Sequence, residues 1–236
     1  MSDKRQIFAI GGRFYVDPWE APLLQRHWLS LMESACPKIC YLGTATGDRP
    51  DLIEEFYRTM AAHRVSAAHL NLFKPHTADF EDYFSRFDGI YVGGGATRNM
   101  IALWKDWGIG AALKTAWENG VLLSGTSAGA ICWFDDCITD SLPQTMLPLD
   151  CLGFVPGACN THYSARPDRR PTFQHHIAAG RLTSPGLAID DNVGVHVVGQ
   201  DVREIVTQKE GCTAYWVTRN NDGSVTEQAA QARLLS

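Results

Sequence analysis

Short apolar runs alternate with longer amphipathic stretches along the first half of the chain, and this order predicts strands that are each followed by a helix. The strands are predicted at residues 6–12, 38–44, 67–73, 88–95 and 121–123. The helices are predicted at residues 22–35, 51–64, 79–86 and 97–118, mostly from apolar positions at three- and four-residue spacing. Wholly apolar strands separated by helices are typical of a mostly parallel sheet that is covered on both faces.

The pattern changes after residue 180. Three segments, at residues 187–198, 203–208 and 212–218, have the length of short strands and are joined by tight turns. They predict an antiparallel C-terminal extension of the same sheet-and-helix unit. With no internal repeat and no linker composition, residues 1–236 are expected to form a single α/β domain.

The strand at 121–123 runs into the segment Gly125-Thr-Ser-Ala-Gly129, and Ala130 to Trp133 begin what the pattern predicts as a helix. Strand, G-x-S-x-G and helix, in that order, form the nucleophile-elbow pattern, in which a tight turn raises a serine hydroxyl above the sheet. Small neighbours are needed because side chains at 125 and 129 would meet adjacent backbone. The five residues alone are equally compatible with a tight glycine turn whose serine has no catalytic role.

A nucleophilic serine needs a base and a group that orients the base. Among eight histidines, His162 stands out because it follows a short apolar run and a turn, without helical periodicity. His175, His176 and His196 lie in a predicted helix or strand. The four histidines before the elbow have no neighbouring residues in the sequence that suggest a catalytic role. Asp190 and Asp191, between two apolar runs, are candidate orienting carboxylates or simply a solvated turn.

Three successive glycines, Gly93 to Gly95, follow the fourth strand. Their uncovered N–H groups, together with that of Ala128, would suit an oxyanion hole. A phosphate-binding loop is the weaker alternative, because the segment has neither G-x-G-x-x-G spacing nor a Walker lysine.

Composition excludes several other classes of protein. The chain has 45% hydrophobic and 20% charged residues, a formal net charge of −5 and a pI near 5.9, which argue against nucleic acid or anionic membrane as partner. No apolar run reaches the roughly 18 residues of a membrane span, so a cytoplasmic protein is expected. Seven cysteines without metal-ribbon spacing are expected to be buried reduced thiols, and neither a metal nor another cofactor is expected.

Four segments occur in the order found in the peptidase E family: Ile90-Tyr-Val-Gly-Gly-Gly-Ala-Thr97, Gly125-Thr-Ser-Ala-Gly-Ala130, Pro156 to Tyr163, and Ala188-Ile-Asp-Asp-Asn192. The chain resembles this family, which comprises aspartyl dipeptidases and has the cyanophycinases as distant cousins, from the first strand to about residue 218. The resemblance implies a class I glutamine amidotransferase-like α/β fold in which serine replaces the usual cysteine. It also implies a Ser-His-acid triad that needs no metal.

Residue by residue, the resemblance makes Ser127 the nucleophile, His162 the base and Asp191 the third member, with Asp190 still open. Gly94 or Gly95, with Ala128, would supply the oxyanion N–H groups. Two departures from the family matter. Ala96 replaces its usual Asn, and an aspartate in place of the glutamate that relatives can carry is one methylene shorter, which leaves Asp190 against Asp191 open.

The resemblance implies a serine-type dipeptidase or exopeptidase that hydrolyses short peptides, with dipeptides that begin with Asp as a candidate substrate. Arg170, favoured over Arg166 and Arg169, would bind the substrate carboxylate, and Asp140, in the loop after the elbow helix, would meet the ammonium group. The alternative for both residues is that they are ordinary charged side chains of solvated loops, without a role in substrate binding.

Two rival functions stay open, a cyanophycinase-like isopeptidase and a non-catalytic binding relative. The expected partners are a small peptide and, in a homodimer, a second copy of the chain.

Overall fold

The computed structural model describes residues 3–12 and 22–236. In chain order its strands are β1 (Gln6–Ile10), β2 (Lys38–Leu42), β3 (Ser66–Leu70), β4 (Gly89–Val92), β5 (Leu122–Thr126), β6 (Phe134–Thr139), β7 (Leu147–Asp150), β8 (Val155–Thr161), β9 (Gly186–Ile189), β10 (Val193–Val198), β11 (Asp201–Thr207), β12 (Ala214–Arg219), β13 (Val225–Ala229) and β14 (Arg233–Leu234). The helices are α1 (Leu23–Ser30), α2 (Pro50–Met60), α3 (Phe80–Ser85), α4 (Thr97–Trp107), α5 (Ile109–Glu118), α6 (Ala128–Ile131) and α7 (Arg169–Ala178).

An eight-stranded sheet organises the fold, in the order β14-β11-β10-β1-β5-β4-β2-β3. The five strands from β1 to β3 in this order are parallel to their neighbours, and β10 and β11 extend the sheet with antiparallel pairing beyond β1. The predicted mostly parallel α/β sheet is therefore confirmed. Parallel strands place all their carboxyl ends at one edge, which is where function is expected in such folds.

Both faces of this sheet are buried, as the apolar strands predict. Along β1, Ile7 and Ala9 pack into one hydrophobic cluster while Phe8 and Ile10 pack into another on the opposite face. The first cluster contains Trp104 and the other buried apolar side chains of α4 and α5; the second contains buried apolar side chains of α1 and α2. Among the described residues, no helix combines the length and apolar character that a bilayer crossing requires.

A second, six-stranded sheet has the order β13-β12-β9-β8-β6-β7. The predicted C-terminal strands do pair antiparallel with one another, but they divide between the two sheets, which the sequence did not predict. Strands β10, β11 and β14 join the first sheet, whereas β9, β12 and β13 join the second, which also contains β6 and β7. The burial pattern of β6 does not alternate, so its period did not predict a strand.

Two helices also differ from the predictions. The single helix predicted at 97–118 is broken at Gly108, whose φ of 71° ends α4 in the left-handed region and starts α5. The helix predicted after the elbow is only the four-residue α6, because the chain enters β6 at Phe134.

Candidate active site

Ser127 lies in a strained turn at the carboxyl end of β5. Its φ of 53° and ψ of −112° fall outside the regions that most residues occupy. Its N–H donates to the carbonyl of Ile10 at 3.2 Å, which anchors the turn to β1. A Cβ at Gly125 would lie 2.4 Å from the Gly129 carbonyl oxygen, and one at Gly129 would lie 2.1 Å from that of Val92. The elbow therefore requires both glycines.

His162 follows β8 directly and contacts both other members of the predicted triad. Its Nε2 lies 2.9 Å from the Oγ of Ser127, and its Nδ1 lies 2.7 Å from the Oδ1 of Asp191. An ionised carboxylate can only accept, so Nδ1 carries the proton and Nε2 is left to accept from the serine hydroxyl. The imidazole is 22% exposed, so a substrate can reach it.

Asp190 and Asp191 occupy opposite sides of the turn between β9 and β10. Asp190 is buried, and its carboxylate accepts the N–H groups of Ser164 at 3.0 Å and Thr213 at 3.3 Å. Asp191 is the one that reaches the imidazole. Of the two carboxylates, Asp191 is therefore the one in contact with His162, and its role as the third triad member stays a prediction.

The two sheets meet at this point, which explains how residues far apart in sequence come together. Strand β1 lies between β5, which leads to the serine, and β10, which follows the aspartate turn. Gly11 donates to Val193 at 2.9 Å and accepts from Asn192 at 3.2 Å, so β1 also fixes that turn. A Cβ at Gly12 would lie 2.9 Å from the Cβ of Asp191.

The histidine arrives from the second sheet. Strand β8 pairs in parallel with β9, where Thr161 is opposite Ile189, so His162 and the aspartate turn leave neighbouring strands at the same edge. His162 itself has a positive φ of 57°. The sequence did not predict that Gly11 and Gly12 contact the aspartate turn, or that two sheets meet there. The glycine pair at the end of the first strand was the available signal for that contact.

The glycine loop after β4 lies against the serine. A Cβ at Gly94 would be 3.1 Å from the Cβ and 3.7 Å from the Oγ of Ser127. Gly95 has a φ of 143°, and the next N–H, that of Ala96, donates to the Ala45 carbonyl at 2.7 Å. Within the described part of the chain, the N–H groups of Gly94, Gly95 and Ala128 have no acceptor.

Arg170 and Asp140, the two predicted substrate-binding residues, already have partners inside the protein. Arg170 forms an ion pair with Glu227 at 2.8 Å, and its guanidinium carbon lies 5.0 Å and 4.8 Å from the ring centroids of Tyr163 and Tyr215. No hydrogen bond or ion pair among the described residues joins Arg170 to Ser127 or His162. Its role as a substrate ligand stays a prediction.

Asp140 follows β6 and binds two arginines. It contacts Arg166 and lies 3.0 Å from the guanidinium of Arg169, which is itself buried and donates to the Asn160 side chain at 3.1 Å. Burial alone would raise the pKa of Asp140, but Arg169 and Arg166 lower it overall, so the carboxylate stays charged. Sequence reasoning placed the acid beside an ammonium group of a substrate and missed these arginine partners.

Other histidines are engaged elsewhere. His69 contacts the Tyr57 hydroxyl at 2.9 Å, His63 contacts Gln25 at 3.1 Å, and His196 contacts Gln6 at 2.9 Å. Burial lowers the pKa of each of these three imidazoles. In the portion of the chain that the structure describes, His162 is the histidine bonded to the elbow serine.

Residues 7–205 match the model of peptidase family S51. The chain belongs to this family. A protein of Bacillus subtilis (strain 168) named as the uncharacterized peptidase YgaJ is 38% identical over 214 residues, which cover 90% of this chain and 92% of that protein. As a member of family S51, the chain is a peptidase, and the resemblance to peptidase E that its motifs carry is confirmed.

Two solved structures share the fold of this chain. A crystal structure of a peptidase from an acI-B1 Actinobacterium has a TM-score of 0.68 at 18% identity, covering 96% of this chain and 94% of that one. A candidate peptidase E of Listeria monocytogenes EGD-e has a TM-score of 0.64 at 16% identity, covering 87% and 98%. At such identities the likeness concerns the fold alone.

Proposed function

We propose that this S51 peptidase cleaves short peptides through a catalytic triad of Ser127, His162 and Asp191. One observation carries the proposal: an unbroken hydrogen-bonded chain runs from the Ser127 hydroxyl through both nitrogens of His162 to Asp191, at 2.9 Å and 2.7 Å. Nucleophile, base and orienting carboxylate in this arrangement are what acyl transfer from a serine requires.

In the proposed reaction the Ser127 hydroxyl gives its proton to Nε2 of His162 while Oγ attacks the peptide carbonyl carbon. The imidazole then carries a positive charge, which the Asp191 carboxylate stabilises and holds in place. The same Nε2 proton is passed to the departing amine as the carbon–nitrogen bond breaks. A water molecule, deprotonated by His162, attacks the acyl-enzyme and releases the acid product.

The negative oxygen of the tetrahedral intermediate needs donors on the far side of the carbonyl. The N–H groups of Gly94 or Gly95, together with that of Ala128, are the proposed donors. Their support is that Gly94 adjoins Ser127 and that these amides have no acceptor within the described residues. Since α6 is only one turn long, the donors would act as individual amides rather than through a helix dipole.

The proposed substrates are dipeptides and other short peptides, with an N-terminal aspartate as the first preference to test. This preference rests on the family resemblance rather than on the contacts of the arginines. Arg166, Arg169 and Arg170 supply positive charge after His162, but each is paired with a carboxylate of the protein. A substrate carboxylate would have to join or displace one of these pairs.

The direct test compares Ser127→Ala with the wild-type protein on a panel of Asp-X dipeptides, other dipeptides and β-aspartyl peptides. We expect turnover of the preferred substrate to fall by about 10⁴-fold or more, with unchanged circular dichroism. Ser164→Ala is the matched control, because this exposed serine lies two residues after His162 and donates its backbone N–H, not its hydroxyl, to Asp190.

Hydrolysis that persists in Ser127→Ala would contradict the proposed triad. Cleavage confined to β-aspartyl peptides would replace the dipeptidase proposal by an isopeptidase. No turnover by the wild type on any member would favour a binding protein on this fold.

A further inference from the structure

Six of the seven cysteines belong to the main hydrophobic cluster or pack against it, and four of these six interact with one another. Cys132 follows α6, Cys137 is on β6, Cys159 is on β8 opposite Cys137, and Cys151 follows β7. The Sγ atoms of Cys137 and Cys151 lie 3.5 Å apart in a hydrogen bond, and among the described cysteines only this pair is joined in this way.

The backbone sets these two thiols diagonally across the β6–β7 pair. Cys137 lies opposite Leu149, and the N–H of Cys151 donates to the Asp135 carbonyl at 2.8 Å, so Cys151 is two residues further along the same face. Diagonal neighbours are more widely spaced than directly opposed ones. Bonding the two sulfurs at about 2.05 Å would therefore require β7 to shift slightly. As the edge strand of its sheet, β7 is held on one side only.

The two thiols differ in access. Cys137 is fully buried, whereas Cys151 is half-buried. The hydrogen bond to Cys151 and burial both raise the pKa of Cys137, so this residue stays a protonated thiol. An oxidant from solvent would meet Cys151 first, because reactivity of a thiol follows its exposure and its thiolate fraction.

We propose that Cys151 and Cys137 form a reversible disulfide when Cys151 reacts with a hydroperoxide. In the first step the Cys151 thiolate attacks one peroxide oxygen, the O–O bond breaks, and a sulfenic acid and an alkoxide or hydroxide form. In the second step the Cys137 sulfur attacks the Cys151 sulfur. Its proton joins the departing hydroxide to give water, and two thiols have then been oxidised by one peroxide.

The bond would close the hairpin formed by β6, β7 and residues 140–146. A covalent link across two strands limits the motion of the segment between them. This segment begins with Asp140, the partner of Arg166 and Arg169. Oxidation would therefore tighten a loop that lies beside the candidate site, and it does so whether or not Ser127 is catalytic.

Peptide mapping of the intact protein after treatment with hydrogen peroxide tests the proposal. Wild type should lose two free thiols and yield a cross-linked peptide that contains Cys137 and Cys151, and dithiothreitol should restore both thiols. Hydrogen exchange of the amides in β7 should be slower in the oxidised form. Exchange that is equal or faster would overturn the proposed tightening of the hairpin.

Variants separate the two steps. In Cys137→Ser, the sulfenic acid at Cys151 should persist and be captured by dimedone, whereas Cys151→Ser should give neither adduct nor disulfide. Cys36→Ser is the control, because Cys36 is exposed and lies outside the cluster, and it should form the disulfide normally. A bond between Cys137 and Cys159 in the wild type, or dimedone capture at Cys36 alone, would overturn the proposal even if a variant failed to fold.

Discussion

Asp190 and Asp191 are adjacent and chemically identical, yet their surroundings give them separate tasks. Asp190 is buried and accepts two backbone N–H groups, which fix the β9–β10 turn. Asp191 is 36% exposed in its side chain and accepts from His162. The Asp190 carboxylate therefore stabilises the turn, and the turn in its place positions the Asp191 carboxylate against the imidazole.

This division predicts different consequences for the same substitution. Asp191→Asn should lower kcat by about 10³- to 10⁴-fold at little cost in stability, because an amide favours the wrong tautomer of His162. Asp190→Asn should instead destabilise the protein by about 1–3 kcal/mol, since its NH₂ group would face a backbone donor. Kinetics and urea unfolding of both variants decide the matter; equal kinetic losses would contradict the assignment.

Sequence alone singled out Ser127, His162 and the acidic pair, because the elbow motif and the family resemblance concern short segments. The structure brings the three side chains into contact, and their catalytic roles stay a prediction. It was not possible to choose between Asp190 and Asp191, since the direction of each side chain depends on how β9, β10 and β1 meet. The internal partners of Arg170 and Asp140 depend on tertiary packing in the same way.

At the scale of the elements, the elbow is held by backbone packed against backbone. The residues at positions 125 and 129 must lack side chains because the Gly129 and Val92 carbonyls occupy the space. Backbone atoms of a central parallel sheet cannot move aside without breaking its hydrogen bonds. The strain at Ser127 is therefore maintained by β1, β4 and β5 together.

Gly129→Ala should destabilise the protein by at least about 3 kcal/mol or prevent folding, because its Cβ would lie 2.1 Å from the Val92 oxygen. Gly110→Ala is the matched control within α5. Its Cβ would meet only a methyl group of Leu152 at 2.9 Å, which can turn away, and alanine favours the helix. Urea midpoints of both variants test this; a Gly129→Ala protein as stable as wild type would refute the packing argument.

The strands that the sequence predicted well are those with a continuous apolar run. Strands β1, β2, β4 and β5 are continuous apolar runs, and the sheet buries both of their faces. Strands β6 and β7 were missed because a short strand within a mixed sheet need not alternate. The break at Gly108 was missed because the amphipathic pattern continues across it.

At the scale of the whole molecule, several buried imidazoles couple folding to pH. Burial lowers the pKa of five histidines below the ordinary value: His27, His63, His69, His176 and His196. Each stays neutral in the folded protein at a pH where the unfolded chain already binds a proton. Their contribution to stability is therefore present above about pH 6.5 and is lost as the pH falls below it.

We expect the free energy of unfolding to decrease between about pH 7.5 and about pH 5.5. His196→Gln should flatten this dependence, because His196 is buried and glutamine can still hydrogen bond to Gln6. Urea unfolding at the two pH values measures both effects. Burial raises the pKa values of the buried Asp48 and the half-buried Asp136, and these two carboxyl groups act in the opposite direction as the pH falls. Greater stability at the lower pH would contradict this account.

The division of the C-terminal strands between two sheets was the largest feature of the molecule that sequence could not predict. Each strand has the same local character, and only long-range pairing decides whether it joins β1 or β8. That division is also what brings His162 and Asp191 to Ser127.

The most direct test of the central claim is covalent labelling with a fluorophosphonate, followed by mapping of the labelled peptide by mass spectrometry. If Ser127 is a nucleophile activated by His162, one label per chain should be found on Ser127, and His162→Ala should abolish it while the fold is retained. Label on another residue, or equal labelling of Ser127 in His162→Ala, would contradict the account.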